Sequence, residues 1–413
     1  MQLEITEDRR HELVRRNTAL LAIAQACAWL TSGVFVVAGP LAVARASGHT
    51  SLGGFAFALW AIALAGGAQL AGLIMDRFGR RPGLAGGHLF YVLAALLASV
   101  AVVNGSTLGL LGAIAIGGAG SGAALLGRAA VADMYPPHRR GTAVGFMLAA
   151  GTIGAILGPQ VVQLTRLLAS GSGLPRQLAA AWLIAAVNST IALVCVLVLR
   201  PDPRELAPPR PIGPTPAARP LAVLLRLPAL RGAISAVILS QFAMVGMMSV
   251  YAIAMSARGV SIGLIAVILS AHFSGMFAFS PVWGIFLDRV GRREGLLAAA
   301  ALVVIGGAIV GLPIAAVSAL GLFLVGLGWS GSYLGATAVV SDVTTPAERG
   351  TTLGFSDLLS AGGAAAGSVV CGILLDRSGF MTAGVAAAAV ILLALLALLL
   401  VPRTSWRGAL ASA

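Results

Sequence analysis

The chain has 413 residues, of which 58% are hydrophobic and 10% are charged, and its mean hydropathy is +0.96. The composition excludes a soluble globular protein, because so few polar residues cannot cover its surface. The net charge of +13 would indicate a nucleic-acid partner in a soluble protein. Here the arginines lie mainly in loops between apolar runs, and we predict no such partner. A membrane-spanning helix needs about 20 apolar residues, and the chain has room for roughly a dozen.

Six apolar segments follow a polar N-terminal tail, residues 1–17. These predicted spans are residues 18–44, 52–75, 83–103, 106–135, 141–164 and 178–199. Asn104-Gly105 forms the turn after the third span, and Pro136-Pro137 ends the fourth because proline cannot continue a helix. Residues 18–199 are therefore predicted to form an N-terminal half of six helices.

The composition changes at residues 200–230, which contain many prolines and arginines. This pattern predicts a cytoplasmic linker. Its last part, residues 220–230, is amphipathic, and it either lies along the inner membrane surface or is plain linker. Six further apolar spans follow at residues 231–257, 260–287, 295–314, 317–340, 350–375 and 381–401. They predict a C-terminal half, residues 231–402, before a cytoplasmic tail, residues 403–413.

The arginines indicate the orientation of the chain in the lipid bilayer. With twelve spans, few of them fall on the outer side: Arg45, Arg166, Arg176, Arg258 and Arg377. The positive-inside rule therefore places both termini in the cytoplasm of a multi-pass protein of the cell (inner) membrane. The three cysteines, Cys27, Cys195 and Cys371, lie in apolar segments, so no disulfide framework is expected.

A charged motif occurs twice between apolar segments. Gly72–Leu84 reads Gly-Leu-Ile-Met-Asp-Arg-Phe-Gly-Arg-Arg-Pro-Gly-Leu, and Gly284–Leu296 reads Gly-Ile-Phe-Leu-Asp-Arg-Val-Gly-Arg-Arg-Glu-Gly-Leu. The duplication extends further: Asp133, Arg140, Gly141, Thr142, Gly145, Gly154 and Gly158 recur in one register as Asp342, Arg349, Gly350, Thr351, Gly354, Gly363 and Gly367. We therefore predict two pseudo-symmetric halves with the same direction through the membrane.

The spacing Gly-x-x-x-Asp-Arg-x-Gly-Arg-Arg resembles the loop 2–3 signature of the major facilitator superfamily, which that family repeats in loop 8–9. The resemblance implies the major facilitator fold, twelve transmembrane helices in an all-α membrane protein, and a monomer that transports by alternating access. It also implies gating residues: Gly72, Asp76, Gly79, Arg80, Asp133, Gly284, Asp288, Gly291, Arg292 and Asp342. Arg80 is expected to pair with Asp133, Arg292 with Asp342, and Asp76 with the N-terminus of span 11.

A second motif lies in span 5, where Gly145, Gly154, Gly158 and Pro159 are spaced as Gly-x₈-Gly-x₃-Gly-Pro. This spacing is similar to that of the drug–proton antiporters of the superfamily, and it adds Gly154, Gly158 and Pro159 to the gating residues. The alternative is plain helix packing, because the duplicated span 11 keeps the three glycines. The span 4 arginine of those antiporters is absent, since Ile116 stands at its position.

Ionisable groups inside spans are costly and mark functional sites. Asp357 lies inside span 11, while the duplication places Leu148 at the corresponding position, so the repeat itself does not require an acid. We predict that Asp357 and His272 carry the coupling proton. Arg128 lies at a similar depth in span 4, and we predict a cytoplasmic gate between Arg128 and Asp357. The alternative is that each residue is satisfied within its own half.

The superfamily lines its cavity mainly with spans 1, 4, 7 and 10. The candidate substrate-binding residues on these spans are Gln25, Trp29, Ser32, Arg128, Gln241, Met244, Met248, Tyr251, Trp329 and Tyr333. Aromatic and thioether groups with a few amides make an adaptable, largely apolar pocket. Interhelical packing is the alternative role for these residues.

These observations predict a proton-coupled exporter of small amphiphilic or drug-like organic compounds. The first alternative is a transporter of an organic anion recognised by Arg128, and the second is a membrane receptor that does not transport. We predict no enzymatic activity, no cofactor and no metal site, because no acid pair, metal-ligand cluster or activated nucleophile has a suitable spacing.

Overall fold

The computed structural model describes residues 7–169, 171–208 and 219–406, and its regular structure within these ranges is entirely helical. The helices before the linker are α1 (Glu7–Ser47), α2 (Thr50–Phe78), α3 (Arg80–Val103), α4 (Thr107–Leu125), α5 (Gly127–Met134), α6 (Pro137–Leu168) and α7 (Leu174–Leu197). Those after it are α8 (Leu221–Leu224), α9 (Pro228–Ala257), α10 (Ile262–Phe277), α11 (Ser280–Val290), α12 (Arg292–Val310), α13 (Ala315–Val343) and α14 (Pro346–Leu400), followed by a 3₁₀ turn, Arg403–Trp406.

Ten helical segments of the described chain are long and apolar enough to cross a bilayer. Two of them contain an interruption, since α4 and α5 form one segment and α10 and α11 form another. Helix α14 covers the predicted spans 11 and 12, which meet where Gly379 leaves the helical conformation with φ of 84°. The prediction of an all-α membrane protein is therefore confirmed, with ten to twelve apolar helices.

The helices group into two compact units. The first unit contains Met1–Ala46 and Ile62–Pro211, and the second contains Ser47–Ala61 and Ile212–Ala413. The beginning of α2 thus packs within the second unit. There the hydroxyl of Thr50 donates a hydrogen bond of 2.7 Å to the carboxylate of Asp376, and Gly54 lies against the backbone of Gly372.

Glycines allow α6 to approach α1 closely in the first unit. A Cβ at Gly154 would overlap the carbonyl oxygen of Ala26, and one at Gly158 would lie 2.6 Å from the carbonyl oxygen of Leu30. Close backbone approach at small residues is the usual way in which helices pack in lipid. The span 5 motif is thus a packing surface, whatever its part in the transport cycle.

The corresponding glycines of α14 pack against α9 in the second unit. A Cβ at Gly363 would lie 2.8 Å from the carbonyl oxygen of Ile238, and one at Gly367 would overlap the carbonyl oxygen of Phe242. The same register of glycines therefore makes the same kind of helix contact in both units. This repeated packing is the structural counterpart of the duplication seen in the sequence.

We expect the Gly367→Ala variant to destabilise the protein by about 1–3 kcal/mol, because the added methyl group forces α14 away from α9. The melting temperature of the purified protein in detergent measures this change. Gly354→Ala is the matched control, since Gly354 lies on the same helix and a Cβ there meets nothing within 4 Å. That variant should keep or raise the melting temperature. Equal melting temperatures for the two variants would contradict the packing role of Gly367.

Candidate functional site

The first copy of the charged motif forms a bend between α2 and α3. Gly79 has φ of 98°, a conformation that other residues rarely adopt, and Arg80 begins α3 directly after it. The guanidinium of Arg80 donates from Nε to Asp133 at 2.7 Å and from Nη1 to Asp76 at 2.8 Å. Since the Arg80 side chain is only 19% exposed, the bend is held by a charge-assisted network that water screens only partly.

The second copy has the same geometry between α11 and α12. Gly291 has φ of 113°, and the guanidinium of Arg292 donates from Nε to Asp342 at 3.0 Å and from Nη1 to Asp288 at 2.6 Å. The structure thus contains both ion pairs that the family resemblance implies. Gly72 and Gly284 have open space where a Cβ would lie, so neither is required by close packing within its unit.

Asp202 is a residue of the first bend that sequence reasoning missed. Its two carboxylate oxygens accept hydrogen bonds from the backbone amides of Arg80 and Arg81, at 3.1 and 2.9 Å. A negative charge at this position offsets the positive end of the α3 helix dipole. A Cβ at Gly79 would lie 2.8 Å from this carboxylate. Close contact with Asp202 is therefore a second physical reason, besides the positive φ angle, for a glycine at this position. The signal in the sequence that could have indicated Asp202 is the position of this acid just after the predicted sixth span.

The N-terminal end of α1 holds the linker segment that carries Asp202. The side chain of Arg16 donates to the carbonyl of Arg200, and the buried Asn17 donates from Nδ2 to the carbonyl of Pro201 at 3.1 Å. Arg10 donates to the carbonyl of Leu206 at 2.9 Å, and the Leu206 side chain is buried in the apolar core of this end of the unit. Helix α1 therefore begins within the predicted N-terminal tail and positions the start of the linker.

We expect the Asp202→Ala variant to lower the melting temperature of the purified protein, with a loss of about 0.5–2 kcal/mol, because the α3 N-terminus loses its capping carboxylate. Glu205→Gln is the matched control, since Glu205 is an exposed acid three residues further along the linker and glutamine keeps the side-chain oxygen that accepts from the Asp202 backbone amide. Its melting temperature should stay close to that of the wild type. A stable Asp202→Ala variant would contradict the capping role.

The end of the linker is anchored in the second unit by another residue that the sequence did not single out. The buried carboxylate of Glu348 accepts hydrogen bonds from the Arg219 guanidinium at 2.7 and 2.8 Å and from the Arg219 backbone amide at 2.9 Å. The adjacent carboxylate raises the pKa of the Arg219 guanidinium above its ordinary value. Glu348 also accepts from the backbone amide of Thr345, completing a capping box at the start of α14.

Three candidate substrate-binding residues come together in the second unit. The rings of Trp329 and Tyr333 on α13 are stacked at 5.4 Å between centroids, with an angle of 19° between their planes. The indole N–H of Trp329 donates to the side-chain oxygen of Gln241 on α9. Phe277, at the end of α10, meets the indole edge to face at 6.1 Å. Sequence reasoning missed Phe277. These four half-buried residues are called the aromatic cluster below.

The other candidates on α9 lie in tightly packed surroundings. Met244, Met248 and Tyr251 are all buried. The Tyr251 hydroxyl accepts a hydrogen bond of 3.2 Å from Ser318, and its ring meets Phe380 edge to face at 5.8 Å. These contacts favour interhelical packing as the role of Tyr251, and a part in substrate binding stays a prediction for all three residues.

The candidates in the first unit lie near the junction of α1, α5 and α6. Gln25 is buried and Trp29 is half-buried, and both approach Gly151 of α6. A Cβ at Gly127 would lie 3.6 Å from the Gln25 amide oxygen, so the beginning of α5 adjoins Gln25, and the half-buried Arg128 follows directly.

Ser32 has a different partner from the other candidates on α1. Its hydroxyl is 2.6 Å from the hydroxyl of Tyr91, a fully buried residue of α3. This pair satisfies a buried hydroxyl of α3 and a half-buried hydroxyl of α1, and sequence reasoning did not single out Tyr91. Pro159 also packs inside the unit, where a Cβ at Gly33 would lie 2.9 Å from its Cδ.

The two predicted proton carriers lie in different surroundings. His272 on α10 is fully buried, and its Nδ1 donates to the carbonyl of Leu322 on α13 at 2.7 Å. Its Nε2 has no hydrogen-bond partner within the described part of the chain. Asp357 is exposed on α14. Arg128 and Asp357 belong to different units, and the gate between them stays a prediction.

The family assignment rests on a match along most of the chain. The family model of the Major Facilitator Superfamily matches residues 21–257 and 233–411. The chain belongs to the major facilitator superfamily. It is therefore a multi-pass membrane transporter, as the resemblance of the duplicated motif implied, and the family's members are not enzymes.

Similar proteins support the same assignment. The chain is 31% identical over 407 residues to the riboflavin transporter RfnT of Brucella anthropi. This alignment covers 97% of this chain and 98% of RfnT. It is 28% identical over 410 residues to YddS of Bacillus subtilis, an uncharacterised transporter of the same superfamily. That alignment covers 97% of this chain and 92% of YddS. The fold is similar to that of the xylose transporter XylE from E. coli in a partially occluded inward-open conformation, with a TM-score of 0.70. The sequence identity in this comparison is 16%, and the match covers 95% of this chain and 98% of XylE.

Proposed function

We propose that this major facilitator transporter carries flat aromatic organic compounds, with riboflavin as the first compound to test. The observation that carries the proposal is the aromatic cluster. The stacked Trp329 and Tyr333 are half-buried rather than enclosed, so part of each side chain is exposed. A planar ring binds to exposed aromatic surface by stacking, and a nearby amide adds orientation. The relative RfnT, a riboflavin transporter, has a substrate with such a ring system.

A proton gradient is the proposed driving force, and Asp357 is the proposed coupling group. A carboxylate within an apolar helix changes its charge when it binds a proton, which alters the relative stability of two conformations. Export of drug-like amphiphiles is the second candidate function. The spacing of Gly145, Gly154, Gly158 and Pro159, similar to that of drug–proton antiporters, favours it.

Transport into proteoliposomes tests the proposal. The purified protein is reconstituted, a pH gradient is imposed in either direction, and the movement of labelled riboflavin is measured against protein-free vesicles. Ethidium and fluorescein serve as cationic drug-like and anionic probes. We expect gradient-dependent riboflavin transport. Movement of ethidium alone would support the drug-export candidate, and movement of fluorescein alone would support recognition of an organic anion by Arg128. Either result would refute the riboflavin proposal.

A further inference from the structure

The side-chain amide of Gln241 is held in one orientation by the aromatic cluster. The indole N–H of Trp329 donates to the Gln241 side-chain oxygen, and this bond joins α9 to α13. An indole N–H can only donate, whereas an amide has an oxygen that accepts and a nitrogen that donates. The amide must therefore turn its oxygen to the indole, which leaves its Nε2 group to donate elsewhere.

The Nε2 group of Gln241 has no acceptor among residues 7–169, 171–208 and 219–406, the part of the chain that the structure describes. The nitrogen is not enclosed either. The buried side-chain atoms that lack a partner in these ranges include the hydroxyl of the adjacent Ser240 but not Gln241 Nε2, and Gln241 as a whole is half-buried. This donor is therefore accessible to a bound molecule.

The donor lies beside the edge of the Trp329 ring. The indole nitrogen is part of that edge, and the nitrogen and oxygen of the Gln241 amide are bonded to the same carbon. The Tyr333 ring stacks on the indole at 5.4 Å between centroids, and Phe277 meets the indole edge to face. A flat molecule that stacks on the exposed part of this aromatic surface therefore brings its own edge close to the amide.

A molecule that covers the Nε2 group removes this donor from water. If the molecule carries an acceptor at its edge, a new hydrogen bond replaces the bond to water. If it carries none, the N–H group is left without a partner, and the lost hydrogen bond weakens binding. The amide therefore discriminates between flat molecules that stack equally well.

We propose that Gln241 makes this transporter specific for flat aromatic compounds that carry a hydrogen-bond acceptor, a ring carbonyl or an unprotonated ring nitrogen, at their edge. This inference rests on the proposed function and names the substrate class more closely. Trp329 and Tyr333 bind the face of the substrate, and Gln241 donates from Nε2 to its edge. The riboflavin ring system has two carbonyls and two unprotonated nitrogens at its edge, whereas ethidium carries amino donors instead.

Binding of riboflavin and of four analogues to the purified protein tests the inference. Each analogue weakens or removes one acceptor. In 2-thioriboflavin and 4-thioriboflavin a ring carbonyl oxygen is replaced by sulfur, and in 1-deazariboflavin and 5-deazariboflavin a ring nitrogen is replaced by C–H. We expect one of the four to bind the wild type about tenfold more weakly than riboflavin, the value of one good hydrogen bond. Calorimetric titration at alkaline pH gives each dissociation constant.

Two variants of Gln241 separate donation to the substrate from orientation of the indole. Gln241→Met has a similar shape and loses both hydrogen-bonding atoms. Gln241→Glu is ionised at alkaline pH, so it keeps an oxygen for the Trp329 N–H but cannot donate. The tenfold preference for riboflavin should fall below about twofold in both variants. Gln163→Met is the matched control, since Gln163 is a half-buried glutamine of α6 in the first unit, and it should keep the preference.

Each outcome decides between the two proposals. A wild type that binds riboflavin and all four analogues equally overturns the role of Gln241 and leaves flavin transport standing. A preference that is lost in Gln241→Met but kept in Gln241→Glu shows that the amide only orients Trp329, which also overturns the inference. So does an unchanged preference in both folded variants. A wild type that binds none of the flavins overturns both proposals.

Discussion

Replacing Trp329 with alanine should weaken riboflavin binding by about 5- to 150-fold, because stacking of a planar ring on an aromatic side chain is worth about 1–3 kcal/mol. The substitution removes the face that stacks on Tyr333 and the partner of Gln241. Quenching of flavin fluorescence by the purified protein measures the dissociation constant. The Trp329→Ala variant should also lose riboflavin transport at riboflavin concentrations below its dissociation constant.

Two further variants separate stacking from general damage to the protein. Trp329→Phe keeps an aromatic face but loses the N–H donor to Gln241, so its affinity should lie between those of the wild type and Trp329→Ala. Trp182→Phe alters a fully buried tryptophan of the first unit and should leave the affinity unchanged. Wild-type affinity in a folded Trp329→Ala protein would remove the aromatic cluster from the substrate site.

The Asp357→Asn variant should abolish transport driven by a pH gradient while it keeps riboflavin affinity. Asparagine has nearly the shape of aspartate but cannot bind a proton at neutral pH, so proton binding can no longer shift the conformational equilibrium. The measurements are gradient-driven transport in proteoliposomes and equilibrium binding in detergent. Exchange of labelled for unlabelled riboflavin without a gradient should persist, which distinguishes lost coupling from lost transport.

Asp376→Asn is the matched control for this prediction. Asp376 is another exposed acid of α14, and its carboxylate accepts a hydrogen bond from Thr50. We expect the Asp376→Asn protein to retain proton-dependent transport. Gradient-driven transport at the wild-type rate in Asp357→Asn would remove Asp357 from the coupling mechanism, and His272→Gln would then be the variant to measure.

Much of the membrane organisation could be predicted from local sequence. The apolar segments predicted the helices, and the loop arginines predicted an orientation. The two copies of the charged motif placed Gly79 and Gly291 at sharp bends, which the structure shows with positive φ angles. Such features are encoded by neighbouring residues, because a span needs only length and hydrophobicity, and a bend after a helix needs a glycine.

The partners of individual side chains were much harder to predict. Membrane helices are apolar on nearly all faces, so the sequence lacks the amphipathic stripe that tells which face of a soluble helix is buried. Tyr251 and Trp329 therefore looked equivalent as candidates, yet one is enclosed by Ser318 and Phe380 and the other is half-buried in the aromatic cluster. The rotation of each helix about its axis made this difference.

The sequence by itself determined the class of the protein, its duplicated halves and the charged bends, because hydrophobic length, repeats and loop charges act locally. Only the tertiary structure decided that Asp202 caps α3, that Glu348 anchors Arg219, and that the break after Phe277 lies beside Trp329. Each of these contacts joins segments distant in the chain. Their formation depends on how the helices pack and rotate, which a uniformly apolar pattern leaves unspecified.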